Sequence, residues 1–557
     1  MSVRRARLAA FGRRTRQIVL LSAITGSLTG GAVALFEWVT RDQLLLRLLD
    51  LSVSMQIAGP LVALLLAAGI VRWLGGGGTA TADEYIRSFH DQRQPMDLRP
   101  VPGRMLASVA TLGFGGALGY EGPSIYMGAA IGTWLQRRWS RLFSREDSKV
   151  LLVCGAAAGV AAIFKAPATG LVFALEVPYQ EDLARRMLLP AGIAAASSYV
   201  TFAAFAGTEP LFPVSGSPPF TFRDLAGAAL VGVLCGLGAR FFTQAVHWAK
   251  DIGARAPVFP RAVVAGLGLV LLALLANAVF DTPLTVGAGY SNLEWAFDPD
   301  RAVALVVLLL GMRLLATMLT LGGGGVGGLF IPLVIQGALV GRAVGGLFRS
   351  ASAGSTFFPL IGVSAFLGAG YRVPLAGVMF AAESTGRPGF IVPSVIAAMI
   401  AQLFMGNASA SKYQVARRAG HLERRFELPL TSALRTDMPT MPPDTTLEEF
   451  VWQHLLGNRQ KEVPVVEDNW YFGVMRIDEA MAVPRDDWPR ELVRDHLRAD
   501  VPFTSPSASL RDAILAMERA GVDLLPVLDG DAFVGVVTTD EVLRLDEILE
   551  RGEETPE

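Results

Sequence analysis

The sequence predicts an all-α membrane protein that crosses the bilayer several times, followed by a smaller α/β domain. Of its 557 residues, 52% are hydrophobic and 18% are charged, and the mean hydropathy is +0.43. This composition is too apolar for one large soluble domain. Apolar segments end near residue 406, and charged residues become frequent after residue 427. We therefore predict a basic amino-terminal segment (1–17), a membrane domain (18–426) and an α/β domain (427–557).

The apolar segments are predicted to be helices that span the bilayer fully or in part. Several approach the roughly 20 residues that a helical span needs. Glycine and proline interrupt others, which is typical of partial spans buried among neighbouring helices. The pattern favours a channel or transporter over an enzyme on a membrane anchor. The segments are 18–38, 56–74, 105–135, 150–176, 186–206, 224–248, 261–280, 302–321, 329–347, 357–383 and 391–406.

Basic residues flank the membrane domain at both ends. Because positively charged flanks tend to stay in the cytoplasm, both termini are predicted to be cytoplasmic, in a multi-pass protein of the inner or plasma membrane. The flanking residues are Arg4, Arg5, Arg7, Arg13, Arg14 and Arg16 before the first segment, and Lys412, Arg417, Arg418, Arg424 and Arg425 after the last.

Other features exclude several function classes. A net charge of −1 does not indicate a nucleic-acid partner. Cys154 and Cys235 lie in apolar segments, so we expect packing residues rather than a disulfide or metal site. The five histidines have no metal-ligand spacing, and no nucleophile–base group stands out in the spans. We predict neither a metal site nor an enzyme.

One carboxylate stands between glycines inside an apolar segment, in Gly119-Tyr120-Glu121-Gly122-Pro123. Burying an ionised glutamate in a bilayer is costly unless it faces a cavity or a partner. The glycines and Pro123 indicate a helix start, where free backbone N–H groups favour an anion. Glu121 is therefore predicted to be a titratable plug at an anion site. The alternative is a capping or paired glutamate at a membrane boundary.

A second helix start of this kind follows the glycine-rich stretch 322–328, which leads into Leu329-Phe330-Ile331-Pro332. Backbone amides without obstructing side chains can approach an ion closely. Phe330 and Ile331 are predicted to offer those amides. The alternative is a glycine-rich packing hinge between helices.

The membrane domain is predicted to be an internal repeat, with halves at about 18–206 and 224–426. Two sets of four residues recur in the same order, and successive spacings differ between the sets by at most two residues. Repeats with interrupted helices indicate a substrate site near the bilayer midplane, with half-helix N-termini directed at an anion. The first set is Gly78, Pro123, Pro167 and Glu176, and the second is Gly289, Pro332, Pro374 and Glu383.

At these motifs the chain resembles the CLC family of chloride channels and proton/chloride exchangers. Residues 119–123 are similar to the family's G-R/K-E-G-P motif, and residues 328–332 match G-x-F-x-P. Gly155 through Glu176 is similar to the family's segment between them, and Tyr413 occupies the place of its inner-gate tyrosine. The resemblance implies an inverted-repeat helical fold with broken helices and a homodimer with one pore per subunit.

The resemblance also implies roles for individual residues. Glu121 and Tyr413 would be the outer and inner gates, and the anion would bind at Phe330, Ile331, Tyr413, Gly122 and, in the first anion loop, Thr79 or Thr81.

Three departures affect the mechanism. The family's G-S-G-I-P loop is replaced by glycine- and threonine-rich residues at 75–84, which leaves the anion preference open. Tyr120 replaces an arginine or lysine beside Glu121. Val177 stands where many exchangers carry a second glutamate, although Glu176 precedes it. Lys165 is expected to pair with Glu176 or to extend toward the interface.

Residues 427–557 resemble a tandem pair of CBS domains. Val463-Pro464-Val465-Val466 and Gly473-Val474 recur 62 residues later as Leu525-Pro526-Val527-Leu528 and Gly535-Val536. Such pairs often bind adenine nucleotides. Here the resemblance assigns Thr538 to phosphate and Asp540 or Glu541 to ribose, and a purely structural dimerisation role is the alternative.

The predicted function is chloride transport across a lipid bilayer, gated by Glu121, with a pore in each subunit of a homodimer. Proton-coupled exchange, and a carrier for fluoride or nitrate, are the alternatives. No cofactor is required, although an adenine nucleotide at the CBS domains is an open expectation. A divalent-cation channel would need several pore carboxylates, and intramembrane acids are few here.

Overall fold

The computed structural model describes residues 2–74, 78–91, 96–143, 148–212, 221–298, 300–348, 356–416, 428–457 and 460–545. The chain divides into two compact units, Met1–Arg417 and Arg418–Glu557. The predicted boundary between residues 426 and 427 lies outside the described residues.

The first unit is all-α, as the sequence predicts. A π-helical segment, Trp38–Leu45, continues its first helix. The helices are α1 (Ser2–Glu37), α2 (Leu46–Leu49), α3 (Val53–Trp73), α4 (Ala82–His90), α5 (Val101–Gly113), α6 (Glu121–Arg138), α7 (Val150–Ile163), α8 (Pro167–Glu176), α9 (Leu188–Ala206), α10 (Phe222–Arg255), α11 (Val258–Phe280), α12 (Tyr290–Phe297), α13 (Val303–Gly322), α14 (Phe330–Phe348), α15 (Phe357–Tyr371), α16 (Pro374–Thr385) and α17 (Ile391–Met405).

Within the described ranges, eight helical stretches are long and apolar enough to cross a membrane. The 10–17-residue apolar helices α7, α8 and α15 accompany them. The prediction of a multi-pass membrane protein is confirmed. The eight stretches are Arg16–Leu49, Val53–Trp73, Arg185–Ala206, Phe222–Arg255, Val258–Phe280, Val303–Gly322, Phe330–Leu347 and Pro388–Met405.

Two predicted apolar segments break at equivalent points of the two repeats. Between α7 and α8, Lys165 adopts a φ of 51°, and between α15 and α16, Arg372 adopts a φ of 56°. A left-handed backbone ends a helix, and the prolines that follow, Pro167 and Pro374, open the next helix at its first position. The breaks therefore follow from local sequence that both repeats share.

Glycines bring the central helices of each repeat into close contact. Gly128 on α6 faces Gly155 on α7, and in the second repeat Gly337 on α14 faces Gly362 on α15. A Cβ atom at any of these positions would collide with the backbone of the facing helix. Each repeat thus builds its core on one equivalent helix pair.

The two repeats cap each other's broken helices. Glu176, at the end of α8, accepts the backbone amides of Leu375 (3.2 Å) and Ala376 (3.0 Å) at the start of α16. Glu383, near the end of α16, accepts the amides of Ala168 (2.9 Å) and Thr169 (2.6 Å) at the start of α8. Each carboxylate satisfies N–H groups that a buried helix start leaves without intrahelical partners.

The expected pairing of Lys165 with Glu176 is therefore wrong. Lys165 Nζ donates to the carbonyl of Ala206 at the end of α9, 2.8 Å away. Arg372, its equivalent, donates to the carbonyl of Gly406 just after α17. Both basic side chains bind carbonyls that a helix C-terminus leaves free.

The second unit contains one four-stranded antiparallel sheet in the order β1-β2-β4-β3, formed by β1 (Glu462–Glu467), β2 (Trp470–Arg476), β3 (Leu524–Asp529) and β4 (Ala532–Thr538). Each sequence repeat supplies one hairpin. The register shifts between Val465 and Val466 in the first and between Val527 and Leu528 in the second, so the irregularity recurs at the repeat offset. The predicted α/β character is confirmed.

Short helices flank both hairpins. The first hairpin lies between a helical stretch made of α18 (Leu447–Glu449) with the π-helical Phe450–Gly457, and α19 (Ile477–Met481). The second lies between α20 (Leu510–Ala520) and helical residues 539–545. This matches the predicted helix–strand–strand–helix order of each repeat.

Candidate anion site

Two helix starts converge in the interior of the membrane unit. Helix α6 begins at Glu121 and α14 begins at Phe330, as the sequence predicts. The segments before them pair through Gly119 and Gly328, whose amides donate to each other's carbonyls at 2.9 and 2.8 Å. The pairing needs glycine, because a Cβ at Gly328 would collide with the Glu121 carboxyl group. The convergence concentrates the partial positive charge of two helix N-termini in one place.

The carboxyl group of Glu121 occupies this point. Its side chain is 1% exposed, and Oε1 accepts the backbone amide of Phe330 at 2.6 Å. Oε2 is buried without a hydrogen-bond partner among the described residues. A carboxylate thus occupies a buried helix start, the kind of position that also favours an inorganic anion.

The first anion loop lies against the same convergence. Thr81 is buried and its hydroxyl donates to the carbonyl of Gly327 at 3.1 Å, while a Cβ at Gly122 would lie 2.5 Å from that hydroxyl oxygen. Thr79 is half-buried, at the start of the described part of the loop. Thr81 thus lies beside Gly122, and its hydroxyl proton is already donated to the Gly327 carbonyl.

A buried ion pair holds this loop. Arg104 on α5 is 7% exposed and donates to the carbonyl of Ala80 and to Glu84 Oε2, both at 3.0 Å. The loop is therefore positioned by a cation that a carboxylate neutralises. The Arg104–Glu84 pair fixes the position of the loop and adds no net positive charge, which would hold an anion too tightly.

Aromatic rings form the wall below the Phe330 amide. Phe330 and Ile331 are fully buried. The ring of Phe330 lies 4.4 Å from Phe164, 4.9 Å from Phe380 and 5.6 Å from Phe173, measured between centroids. The wall is apolar and presents no full charge, so backbone amides are the polar groups beside it.

Tyr413 is not buried in this wall. Its side chain is 46% exposed and lies in electrostatic range of Arg87. The next residue, Gln414, points inward, and its Nε2 donates to the carbonyls of Val177 (2.8 Å) and Tyr371 (2.7 Å). Gln414 thus turns into the interior of the unit, while the preceding Tyr413 stays exposed.

Tyr120, which replaces a basic residue of the family motif, is 2% exposed. Its ring stacks on Tyr290 at 6.4 Å and meets Phe36 edge-on, also at 6.4 Å. Its hydroxyl is buried without a partner among the described residues. Two charged groups in electrostatic range of Tyr120, Glu37 and Arg41, form an ion pair at 3.4 Å. The neighbour of Glu121 is thus an aromatic ring rather than a cation.

Sequence reasoning missed Arg313, a fully buried cation on α13. Its guanidinium donates to the carbonyls of Thr285, Gly287 and Ala288 at 2.9–3.2 Å. This anchors the turn before α12, which carries Tyr290 beneath Tyr120. An arginine within an apolar segment was the available signal, because such a charge needs partners.

The nucleotide-binding residues predicted in the second unit lie after β4. The Thr538 hydroxyl accepts the amide of Glu541 at 3.3 Å and so caps helical residues 539–545. Asp540 is exposed and Glu541 is half-buried. Three or more metal-ligating side chains do not cluster anywhere in the part of the chain that the structure describes.

Comparisons with known proteins point in the same direction. The family model described as voltage gated chloride channel matches residues 61–406, and a CBS domain model matches residues 493–547. The H(+)/Cl(-) exchange transporter ClcA of Yersinia pseudotuberculosis serotype IB (strain PB1/+) is 27% identical over 416 residues, covering 70% of this chain and 85% of that protein.

Two solved structures are similar in fold. A slow cyanobacterial Cl-/H+ antiporter has a TM-score of 0.62 at 20% identity, covering 70% of this chain and 94% of that chain. A CLC-type fluoride/proton antiporter has a TM-score of 0.59 at 22% identity, covering 72% and 98%. At these identities the two structures establish the predicted inverted-repeat fold.

Proposed function

The chain belongs to the voltage gated chloride channel family, and we propose that it carries chloride across the membrane with Glu121 as a protonatable gate. The observation that carries the proposal is the 2.6 Å hydrogen bond from the Phe330 amide to Glu121 Oε1, where two helix starts meet. A relative of this chain is named a proton/chloride exchanger, which supports coupling of chloride movement to protons.

The mechanism follows from competition for one amide. Ionised Glu121 accepts the Phe330 N–H and excludes chloride from it. Protonation removes the negative charge and weakens Glu121 as an acceptor, so its side chain can leave and chloride can take the amide. When chloride departs, the deprotonated carboxylate returns. One proton is thus bound and released at the residue that opens the path.

Two features bear on whether the coupling is tight. Val177 cannot carry a proton, and the adjacent Glu176 holds two backbone amides of the other repeat. Both features argue against an inner proton route at this position, so chloride flow without protons is the second candidate function. We propose proton-coupled transport as the first, with Glu121 as the group that both ions require.

Liposomes containing the full-length protein and a chloride gradient test the proposal. Chloride efflux and external pH are recorded together for the parent, for Glu121→Gln and for Glu294→Gln, an exposed glutamate on α12 that serves as the matched control. We expect uphill proton movement in the parent and in Glu294→Gln, and none in Glu121→Gln. Chloride flux without proton movement in the parent would establish the channel mode. Flux of fluoride but not chloride would contradict the substrate.

We further propose that the protein is a homodimer in the cell membrane, with its termini in the cytoplasm. We also propose that the CBS region binds an adenine nucleotide. The resemblance at Thr538, Asp540 and Glu541 supports the nucleotide. ATP that raises the unfolding temperature of the parent but not of Asp540→Ala would support this assignment. An equal rise in both proteins, or none in either, would contradict it.

A further inference from the structure

We infer that Tyr371, rather than Tyr413, supplies the side-chain hydroxyl that binds the transported anion on the inner side of the Phe330 amide. The inference rests on the chloride transport proposed above and names the residue that completes the same site. Tyr371 is the last residue of α15, directly before the left-handed turn at Arg372.

Burial distinguishes the two tyrosines. Tyr371 is 4% exposed and belongs to the main apolar core of the membrane unit, whereas Tyr413 is 46% exposed. The ring of Tyr371 meets Phe173 edge-on at 5.7 Å, and Phe173 lies 5.6 Å from Phe330. Tyr371 is therefore part of the aromatic wall below the Phe330 amide, and Tyr413 is not.

The ring contacts place Tyr371 close to the site. It lies in electrostatic range of the Glu121 carboxyl group and of the backbone amide of Leu329, the residue before Phe330. A phenol oxygen that accepts an amide N–H keeps its own proton for donation. The hydroxyl can thus add one donor to those of Phe330 and Ile331 when an anion replaces Glu121.

Three other buried hydroxyl groups near the site have already donated their protons, and the unpartnered Tyr120 hydroxyl lies on the side of Glu37 and Arg41. Thr81 donates to Gly327, Tyr85 donates to Ala174 at 2.7 Å, and Thr169 donates to Glu383 at 2.6 Å. A hydroxyl group has a single proton, so these three cannot also donate to an anion without breaking an existing bond. Tyr371 has no such competing acceptor among the described residues.

The repeat gives an independent argument for this position. Tyr371 in Gly370-Tyr371-Arg372-Val373-Pro374 is equivalent to Phe164 in the first repeat, because each lies three residues before the proline that opens the next helix, Pro374 and Pro167. Phe164 packs on Phe330 at 4.4 Å, so the equivalent position in each repeat borders the anion site. The two copies differ by one hydroxyl group, which only the second repeat supplies at this position.

Two conservative variants of the full-length protein test the inference. Tyr371→Phe removes the hydroxyl and keeps the ring that packs on Phe173, and Tyr413→Phe is its matched control. Chloride binding is measured by calorimetry in detergent, and chloride efflux is measured from liposomes. Because a hydrogen bond to a charged group contributes about 1.5–3 kcal/mol, we expect chloride to bind Tyr371→Phe at least about tenfold more weakly. Tyr413→Phe should bind chloride within about twofold of the parent, since its hydroxyl lies outside the buried wall.

Equal binding by Tyr371→Phe and the parent would overturn the inference, as would a loss confined to Tyr413→Phe. In either case a parent that transports chloride would leave the proposed function intact. A parent that neither binds nor transports chloride would overturn both. Should Tyr371→Phe fail to fold, bromide in crystals of the parent decides: anomalous signal in hydrogen-bond contact with the Tyr371 hydroxyl supports the inference, and signal only elsewhere overturns it.

Discussion

Replacing Glu176 with glutamine should weaken the fold and leave ion coupling unchanged. Both carboxylate oxygens of Glu176 accept backbone amides at the start of α16, from Leu375 at 3.2 Å and Ala376 at 3.0 Å. Glutamine keeps one acceptor oxygen but turns the other atom into a donor that faces an N–H group. One amide at a buried helix start would then lose its partner.

The magnitude follows from these bonds. A hydrogen bond to a charged group contributes about 1.5–3 kcal/mol, and an unsatisfied buried donor costs about 1–3 kcal/mol. With one of two bonds lost, we expect Glu176→Gln to destabilise the protein by about 2 kcal/mol. Glu383→Gln is the matched variant in the other repeat. Glu383 accepts the Thr169 hydroxyl as well as two amides, so its loss should cost at least as much.

Two measurements on the full-length protein check this reasoning. We expect both variants to unfold at a lower temperature in detergent than the parent, with Glu383→Gln at or below Glu176→Gln. In liposomes both should keep the parent's ratio of protons to chloride. The reasoning is refuted if Glu176→Gln unfolds like the parent and transports chloride, yet no longer moves protons. That outcome would assign Glu176 to an inner proton route instead of a helix cap.

Three further changes probe the site and its surroundings. Tyr120→Phe removes a buried hydroxyl that lacks a partner among the described residues, so it should raise stability by about 1 kcal/mol in thermal unfolding and preserve chloride flux. Gly328→Ala would place a methyl group 2.5 Å from the backbone nitrogen of Gly122 at the start of α6 and should abolish chloride flux, whereas Gly31→Ala, with no atom within 4 Å, should not. Thr538→Ala removes the cap of the Glu541 amide and should lower the unfolding temperature of the second unit by the equivalent of about 1 kcal/mol; an unchanged transition would show that the cap is dispensable.

Local signals in the sequence were sufficient for the helix starts. Glycine and proline around Glu121 and before Phe330 predicted that α6 and α14 begin there, because both residue types act on the backbone of their own segment. The offset between the two hairpins of the second unit was predicted for the same reason. These features depend on neighbours in the chain, which a sequence displays directly.

Partners distant in the chain could not be predicted in the same way. Lys165 and Glu176 have opposite charges and share one apolar segment, which made their pairing the natural expectation. In the structure each finds its partner elsewhere: Lys165 binds a carbonyl at the end of α9, and Glu176 binds amides of α16. Likewise, nothing local in the sequence indicates that Gln414 turns inward and Tyr413 outward. Such choices are made by tertiary packing.

The geometry of the proposed anion site follows from the duplication itself. Gly119 and Gly328 are equivalent residues of the two repeats, and they donate to each other reciprocally, so the local pseudo-twofold axis passes between them. Glu121 and Phe330 are equivalent too, and the carboxyl of one accepts the amide of the other. Duplication therefore brings two helix N-termini to one point, while only one copy carries an acidic side chain. A single carboxyl can then compete for a site built by both repeats, and a second acid at position 330 would add a like charge that opposes every anion there.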